Sequence, residues 1–348
     1  MIMHTTPPNF TLPPSRQLAL APEVKASFAW IKTYADENGL SRKDLSRLLA
    51  YDESTICRIY GENYTGNPTN IVAAINRFRT SLLAKIGSPS EFPFTQTAVS
   101  RTIHDYIDLA VKWRKIGIII AESQTGKTRS AKAYQAPEGR PLIYLRLKDG
   151  GHKSKVVLRF CKRVGVSDKY NTPKREERIE EFLTRDHIVI IDELQQCAAR
   201  QRAGGRMSAE RIDTIEWLRD MKDEIGFAMI FIGTTEALRM LKGENIQGIP
   251  CANNSGHILI QTLKRSLDPL ILRNNPPKRD LDNFARRVGL DPAEGKALEI
   301  QSNVVVVRGL EVWLTYLLAG AEIAAHQNRA ITWGDVLAAY KTFTGSEA

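Results

Sequence analysis

The sequence predicts an α/β protein built on a parallel sheet, with one helical domain before the sheet and a smaller helical domain after it. Between residues 95 and 275, apolar runs of strand length alternate with amphipathic helical segments, which is typical of parallel strands joined by crossover helices. On either side of this region the apolar spacing is helical. A chain of 348 residues is long enough for two or three domains.

Changes in composition along the chain predict the domain boundaries. Residues 1–22 form a Pro-rich flexible arm with little periodicity, and residues 23–86 form a helix-turn-helix domain. The Pro/Ser-rich stretch 87–100 is a linker, residues 101–275 are the α/β core, and residues 276–348 are a small helical lid. The strands expected in the core are 116–120, 141–147, 187–192, 227–233 and 257–263.

The composition favours a polyanionic partner and argues against several classes of protein. The formal net charge is +10, and a basic balance favours nucleic acid. No apolar run is long enough to span a membrane, and the N-terminus lacks a signal-peptide core, so we expect a cytoplasmic protein without membrane contact. Reduced thiols are expected, since no CxxC spacing joins the four cysteines, Cys57, Cys161, Cys197 and Cys251.

The segment AESQTGKT, residues 121–128, predicts a nucleotide site because it lies between an apolar strand and a helix. Backbone N–H groups of such a loop surround phosphate oxygens, Lys127 brings a positive charge to the β and γ phosphates, and the Thr128 hydroxyl is a ligand for Mg²⁺. Ala121 replaces the usual first glycine, a position that tolerates a methyl group. ATP and Mg²⁺ are the predicted cofactors, with nucleotide contacts from Glu122, Ser123, Gln124, Thr125, Gly126, Lys127, Thr128 and Arg129.

Polar residues at the ends of two further strands complete the predicted site. Asp192 and Glu193 follow the apolar run 188–191, at the strand end where ligands bind in open α/β sheets. Asp192 would hold Mg²⁺ through water, and Glu193 would polarise the attacking water. Thr234, after the strand 227–233, would orient that water or contact the γ-phosphate. The alternatives are a solvated acidic turn for the carboxylates and an ordinary helix N-cap at Thr234 or Thr235.

The N-terminal helical region has the pattern of a helix-turn-helix. The segment 41–44, SRKD, is a capping box for the second helix, and Asp52 or Ser54 caps the third. Ser54, Thr55 and Arg58 would face outward and suit the major groove of DNA, whereas a plain helical bundle with a solvated face is the alternative. The residues expected to be buried in the second and third helices are Leu45, Leu48, Leu49, Ile56 and Ile59.

Two basic segments inside the core predict further contacts with a nucleic-acid backbone. One follows the second strand and carries Lys148, Lys153 and Lys155. The other surrounds a Gly-Gly pair within 198–211 and carries Arg200, Arg202 and Arg206. In a ring or filament such loops would track the phosphate backbone without reading sequence. Solvated loops are the alternative interpretation.

The order of these motifs resembles that of the AAA+ ATPases. A phosphate loop, an acidic strand, a polar strand end and a helical lid follow one another along the chain. The resemblance implies a lid arginine that touches the nucleotide, which matches Arg308 in VVVRGLEVWL. It also implies an arginine just after the fifth strand that acts on the neighbouring subunit's site, which matches Arg265 in TLKRSL, with Arg273 as the alternative.

Within the AAA+ proteins, the chain resembles the transposition-helper ATPases of Mu-type phages and insertion sequences. The resemblance covers most of the chain, including STICRIYGENYTGN in the helix-turn-helix, FPFTQTAV at 92–99, VIIDE, FIGTTEAL, TLKRSL and VRGLEVWL. The resemblance implies catalytic roles for Glu193, Thr234, Arg265 and Arg308, and metal binding by Thr128 and Asp192. A longer loop at 243–256 departs from the family pattern.

The resemblance implies a function in DNA transposition. The expected protein assembles with ATP on double-stranded DNA as a homo-oligomeric ring or helical filament, recruits and stimulates a cognate transposase, and disassembles on ATP hydrolysis. A replication initiator or helicase loader of the same class is one alternative. A DNA-binding regulator switched by bound nucleotide is the other, and Glu193 disfavours it because a pure switch has no use for a water-polarising carboxylate.

Overall fold

The computed structural model describes most of the chain and divides it into two compact units. The described residues are 21–87, 91–148, 151–167, 169–197, 209–244, 255–273, 276–294 and 309–345, without the side chains of 209–212 and 255–258. One unit, called here the helical unit, contains the described residues up to 87 together with 288–290 and those from 318 onward. The other, called the sheet unit, contains the described residues of 91–287 and 291–317.

Four helices with short connections open the helical unit: α1 (Pro22–Glu37), α2 (Arg42–Leu49), α3 (Glu53–Tyr60) and α4 (Pro68–Ala84). Their starts follow local capping, since the Ser41 hydroxyl and the Asp44 carboxylate accept from each other's backbone N–H groups, and Asp52 accepts from the N–H of Thr55. All four contribute to one core with members such as Phe28, Ile31, Leu45, Ile56, Ile59, Ile71 and Ile75.

Leu48 was expected in this core, and that expectation is wrong. Its side chain is 45% exposed, whereas Leu45 and Leu49 are buried. Residues four apart lie on one face of a helix, while Leu48 lies about 100° around the axis from Leu49. The eight residues of α2 therefore bury only a narrow stripe.

Replacing Asp52 by alanine is expected to lower the free energy of unfolding by about 1 kcal/mol, because the N-terminus of α3 loses its cap. Urea denaturation measures this change. Asp36→Ala is the matched control: it removes the same charge, but from the last turn of α1, where a carboxylate does not stabilise the helix dipole. Equal unfolding midpoints for the two variants would contradict the prediction.

The sheet of the sheet unit has five parallel strands among the described residues: β1 (Ile116–Ile120), β2 (Leu142–Arg146), β3 (Ile188–Asp192), β4 (Ala228–Gly233) and β5 (Leu270–Ile271). Their spatial order is β2-β3-β4-β1-β5. The three strands inside this order are buried at every position, which is why they appear in the sequence as continuous apolar runs. The first four predicted strands are confirmed.

The fifth predicted strand, 257–263, is wrong. These residues lie in a helix, Ser255–Arg265, and the fifth strand is the two-residue β5. Leu259 and Thr262 are fully buried and lie three residues apart, which is the spacing of one helix face. A short apolar run does not distinguish a buried helix from a strand, and β5 is too short to produce an apolar run of its own.

Helices lie before, between and after the strands of the sheet. The helix before β1 is α5 (Ala98–Trp113). The helices between β1 and β5 are α6 (Lys127–Ala133), α7 (Lys153–Val164), α8 (Thr172–Phe182), α9 (Ala209–Ile225), α10 (Thr235–Leu241) and α11 (Ser255–Arg265). After it come α12 (Lys278–Val288), α13 (Leu310–His326) and α14 (Trp333–Thr344). One layer of the core packs side chains of α7 and α9 against the sheet, and the other packs α5 and α6 against the opposite face.

The helices predicted as one lid, 276–348, divide between the two units. Residues 310–317 of α13 group with the sheet unit, whereas the described residues from 318 onward group with the helical unit. A hydrogen bond of 3.2 Å from the backbone N–H of Ile331 to the Thr80 hydroxyl joins this last segment to α4. Helical spacing in a sequence predicts that a helix forms, but it does not show against which element the apolar face packs.

Candidate nucleotide-binding and hydrolysis site

The loop between β1 and α6 has the backbone of a phosphate-binding loop. It begins at Ala121, whose N–H donates to the carbonyl of Gly233 at 3.0 Å and whose methyl group is buried. It ends at Gly126, where φ is 86°, a conformation that glycine adopts without strain. Within the loop, the Thr125 hydroxyl donates to the carbonyl of Glu122 at 3.0 Å. An alanine at the first loop position is thus compatible with the loop structure.

Lys127, the first residue of α6, is directed back over this loop. Its ammonium group donates to the carbonyl of Glu122 at 2.9 Å, and the residue is only 7% exposed. Burial lowers the pKa of Lys127, against the opposing effect of Asp192, Glu193 and Glu122. A partly desolvated ammonium held by a single carbonyl is well suited to bind phosphate oxygens.

Asp192, the last residue of β3, lies fully buried beside Thr128. Its Oδ2 accepts from the Thr128 hydroxyl at 2.7 Å and from the Tyr144 hydroxyl at 2.5 Å, and its Oδ1 accepts from the N–H of Glu193 at 2.8 Å. The register of β2 and β3 brings Tyr144 into reach. Burial, and then the hydrogen bond to Asp192, raise the pKa of Tyr144, so the phenol remains a donor.

This set of oxygen atoms fits a magnesium ion. A hydroxyl and a carboxylate lie within hydrogen-bonding distance of each other at the phosphate-loop end of α6. Mg²⁺ prefers oxygen ligands and is held in proteins by one or two such groups together with phosphate oxygens and water. Thr128 and Asp192, both predicted as metal ligands, are therefore brought together by the fold.

Glu193, the next residue along the chain, has an unusual backbone and two side-chain partners. Its φ is 63°, in the left-handed region that non-glycine residues seldom adopt. Its carboxylate forms an ion pair of 2.8 Å with Arg146, the last residue of β2, and accepts from the amide of Gln195. Both Glu193 and Arg146 line the cavity beside the phosphate loop.

Thr234 follows β4, the neighbour of β3, and its hydroxyl is buried without a hydrogen-bond partner in the described part of the chain. It precedes α10, but its side chain makes no capping bond. Its backbone N–H donates to the amide oxygen of Gln195 at 3.3 Å, so Gln195 links Thr234 to Glu193. The sequence alone did not identify Gln195, which is distinguished only by its position two residues after the acidic pair.

A cavity of about 570 Å³ extends from the phosphate loop to residues that the sequence did not place in the site. Its apolar wall is formed by Phe94, Phe284, Leu310 and Leu314, and its polar lining includes Thr95, Thr97 and Glu311. A mostly apolar concave wall with a few polar groups suits a nucleotide base. Phe94, Thr95 and Thr97 lie in the segment FPFTQTAV, and Leu310, Glu311 and Leu314 lie in VRGLEVWL, but no pattern in either segment predicts that the fold brings them together.

Gly309, which opens the segment leading into α13, packs against the phosphate loop. Its φ is 79°, and a Cβ there would lie 3.1 Å from the carbonyl oxygen of Gln124. Glycine is thus required by both backbone conformation and close approach. Arg308, the predicted lid arginine, immediately precedes Gly309 but lies outside the described residues.

Three other residues predicted to contact the nucleotide, Ser123, Gln124 and Arg129, line the cavity. Burial lowers the pKa of Arg129. The Glu122 carboxylate instead accepts from the hydroxyl of Thr235.

Arg265 was expected just after the fifth strand, and that placement is wrong. Arg265 ends α11, before β5, because residues 257–263 are helical. Its guanidinium is 51% exposed and forms an ion pair with Asp223 of α9. Arg273, the alternative, follows β5 and is exposed.

The predicted DNA-contacting residues lie in three places. In α3, Arg58 is exposed, while the hydroxyls of Ser54 and Thr55 both donate to the capping carboxylate of Asp52. Lys148 is exposed after β2. Lys153 and Lys155 were expected in a loop, and that expectation is wrong. Both lie in the first turn of α7, whose apolar face is buried. Lys153 forms an ion pair of 3.0 Å with Glu176 of α8. Arg200, Arg202 and Arg206 lie outside the described residues.

The described ranges show neither a membrane-spanning helix nor a cluster of metal ligands. No helix there is long and apolar enough to cross a bilayer. No three His, Cys, Asp or Glu side chains in those ranges converge on a common metal position. The described cysteines, Cys57, Cys161 and Cys197, form no disulfide bond with one another.

Comparison with known proteins adds three findings. Residues 111–241 match the family model described as an AAA domain. The chain is 18% identical over 285 residues to the Mu-like prophage FluMu DNA transposition protein B of Haemophilus influenzae, covering 80% of this chain and 90% of that protein. The solved structure of the Aeropyrum pernix ORC2 protein, in ADPNP and ADP complexes, superposes with a TM-score of 0.49 and 14% identity over 74% of this chain and 70% of that one.

The matched AAA segment contains the phosphate loop, both carboxylates and Thr234. Lys127, Thr128 and Glu193, predicted to bind phosphate, bind metal and activate water, all line the cavity, and Asp192, the second predicted metal ligand, accepts a hydrogen bond from Thr128. The sheet unit is thus a P-loop core of the AAA+ type, and its chemistry is ATP hydrolysis.

Proposed function

We propose that this protein is an ATP-dependent DNA-binding ATPase that assembles on double-stranded DNA and recruits and activates a transposase at target sites. ATP hydrolysis then drives disassembly. The observation that carries the proposal is the extent of the likeness to a DNA transposition protein: it runs over 80% of the chain, whereas the AAA domain accounts for residues 111–241 only. The likeness therefore extends beyond the nucleotide site.

ATP with Mg²⁺ is the proposed cofactor pair. Thr128 and Asp192 would hold the metal, and Lys127 the β and γ phosphates. When bound, the metal neutralises charge on the transferred phosphoryl group. Glu193 orients and polarises water, the unpartnered Thr234 hydroxyl contacts that water or the γ-phosphate, and the wall that contains Phe94 and Phe284 excludes solvent from the base.

Contact with DNA is proposed through α3 and the basic segments of the sheet unit. The net charge of +10 supports binding to phosphates. On α3, the Ser54 and Thr55 hydroxyls are occupied by Asp52, so Arg58 is the group best placed for an ionic contact. In the sheet unit, Lys148, Lys155 and the 198–211 segment are the candidates. Contacts of this kind fix position on DNA without selecting a sequence.

Arg58→Ala is expected to weaken binding to duplexes of different sequence by a similar factor, because one phosphate contact is lost. The slope of log affinity against log salt should fall by about 1. Fluorescence anisotropy at several salt concentrations measures both. Arg77→Ala is the matched control, since it removes the same charge from an exposed site on α4. If both variants weaken binding equally, net charge and not a contact at Arg58 explains the effect.

A homo-oligomer, ring or helical filament, is part of the proposal. Arg265 is proposed to act on the site of a neighbouring subunit. Within its own chain Arg265 is held by Asp223 on the surface, so assembly would exchange this ion pair for a phosphate contact. An exposed ion pair of this kind contributes about 0–1 kcal/mol, which is little resistance to such an exchange.

Electron microscopy of the protein with ATP and duplex DNA tests the proposed assembly. We expect rings or filaments along the DNA with ATP, and their loss with ADP. Isolated monomers under the first condition would refute the assembly. A pull-down with a purified transposase of a Mu-like phage tests recruitment, and no ATP-dependent retention on DNA-bound protein would refute that part.

A further inference from the structure

Within the described part of the chain, three hydrogen-bond donors orient the carboxylate of Asp192. It is fully buried at the end of β3. One oxygen accepts from the backbone N–H of Glu193, and the other accepts from the hydroxyls of Thr128 and Tyr144, at 2.7 and 2.5 Å. Because the carboxylate is fully buried, its direction depends on these partners.

Tyr144 reaches Asp192 from a part of the sheet that carries no predicted site residue. In the β2–β3 register Tyr144 is the partner of Ile190, and Asp192 lies two residues further along the same face. The tyrosine ring packs against the apolar cluster that contains Ile188 and Ile190, with the Lys132 ammonium 5.5 Å from the ring centre. The hydroxyl is thus held in place by the strand pairing and by the packing of the ring.

We propose that Tyr144 is a positioning residue for metal binding: its hydroxyl holds the Asp192 carboxylate in the orientation that Mg²⁺ requires. Thr128, the other side-chain donor to the same oxygen, is itself a proposed metal ligand and so is not an independent support. Tyr144 also donates to this oxygen, and it is not one of the two proposed metal ligands, Thr128 and Asp192. Hydrogen bonds to a ligand carboxylate typically change metal affinity by about 10- to 100-fold. This inference rests on the proposed Mg²⁺ cofactor and not on DNA or transposase binding.

Tyr144→Phe removes the hydroxyl and keeps the ring. The affinity for a fluorescent ATP analogue, titrated with Mg²⁺ and measured separately in EDTA, reports metal use without requiring hydrolysis. We expect the Mg²⁺ concentration for half-maximal nucleotide binding to rise about tenfold. In EDTA, wild type and variant should bind the analogue equally, because the phosphate loop is unchanged. Tyr144→Met, which also lacks the hydroxyl, should shift the Mg²⁺ requirement in the same direction.

The matched control is Tyr134→Phe, which removes a hydrogen bond of the same type. The Tyr134 hydroxyl donates to the carboxylate of Asp108 at 2.6 Å, and neither of these two residues lines the cavity. Its Mg²⁺ requirement should equal that of wild type. A normal Mg²⁺ requirement in Tyr144→Phe, or an equal loss of affinity with Mg²⁺ and in EDTA, would overturn the role of Tyr144 alone. A wild-type protein that binds nucleotide equally with and without Mg²⁺ would overturn the proposed cofactor as well.

Discussion

Lys127→Ala is expected to abolish ATP-dependent binding to DNA. Lys127 supplies the buried ammonium group above the phosphate loop, where it donates to the carbonyl of Glu122. A hydrogen bond to a charged group contributes about 1.5–3 kcal/mol, so nucleotide affinity should fall by about tenfold or more. Because assembly on DNA is proposed to require bound ATP, loss of nucleotide removes assembly too. Calorimetric titration with an ATP analogue and gel-shift with duplex DNA measure the two effects.

Lys112→Ala provides the control for this experiment. Lys112 lies on α5 with its ammonium 5.7 Å from the ring of Trp113, and it does not line the cavity. The control changes the net charge by the same amount, so a general loss of electrostatic attraction would appear in both variants. If Lys127→Ala still binds DNA in an ATP-dependent manner, the assignment of the phosphate loop as the controlling site is refuted.

Glu193→Gln is expected to preserve nucleotide binding and to slow hydrolysis by about 10²- to 10⁴-fold, the usual contribution of a general base. Glutamine has the same shape but cannot accept a proton from water. Its backbone faces the same constraint at φ 63° as the native residue, so the loop should keep its conformation. Since hydrolysis is proposed to drive disassembly, the variant should form long-lived complexes on DNA. Phosphate release and the dissociation rate of labelled DNA measure both consequences.

Arg146→Ala separates the chemistry of Glu193 from its ion pair. The charge pairing between Arg146 and Glu193 is lost in either variant, but only Glu193→Gln removes the carboxylate. We expect Arg146→Ala to hydrolyse ATP within about tenfold of wild type, because a half-exposed ion pair contributes little. If Arg146→Ala reproduces the full loss of Glu193→Gln, the ion pair and not water activation accounts for the defect.

The elements predicted well are those whose burial leaves a direct trace in the sequence. The runs 116–120, 188–191 and 228–233, which form β1, most of β3 and β4, carry no polar side chain, because helices cover both faces of the strands. The starts of α2 and α3 were predictable since capping depends on residues only a few positions apart. The phosphate loop and the acidic pair were predictable for the same reason: each is a contiguous motif at the end of a buried strand.

The elements predicted poorly depend on contacts between distant parts of the chain. The stretch 257–263 has an apolar content that suits strand or helix, and its helical form follows from the burial of Leu259 and Thr262 in the sheet unit. The division of 276–348 between two units also depends on packing partners.

The sequence by itself determined the parallel α/β core and the order of its motifs, and it predicted Lys127, Thr128, Asp192 and Glu193 as candidate site residues, because each lies within a short segment. Only the tertiary structure decided which groups surround them. Strand register brings Tyr144 to Asp192 and Arg146 to Glu193, and the packing of α12 and α13 brings Phe284 and Leu310 beside the phosphate loop. Such neighbours are set by distances in space between residues far apart in the chain, so no local pattern encodes them.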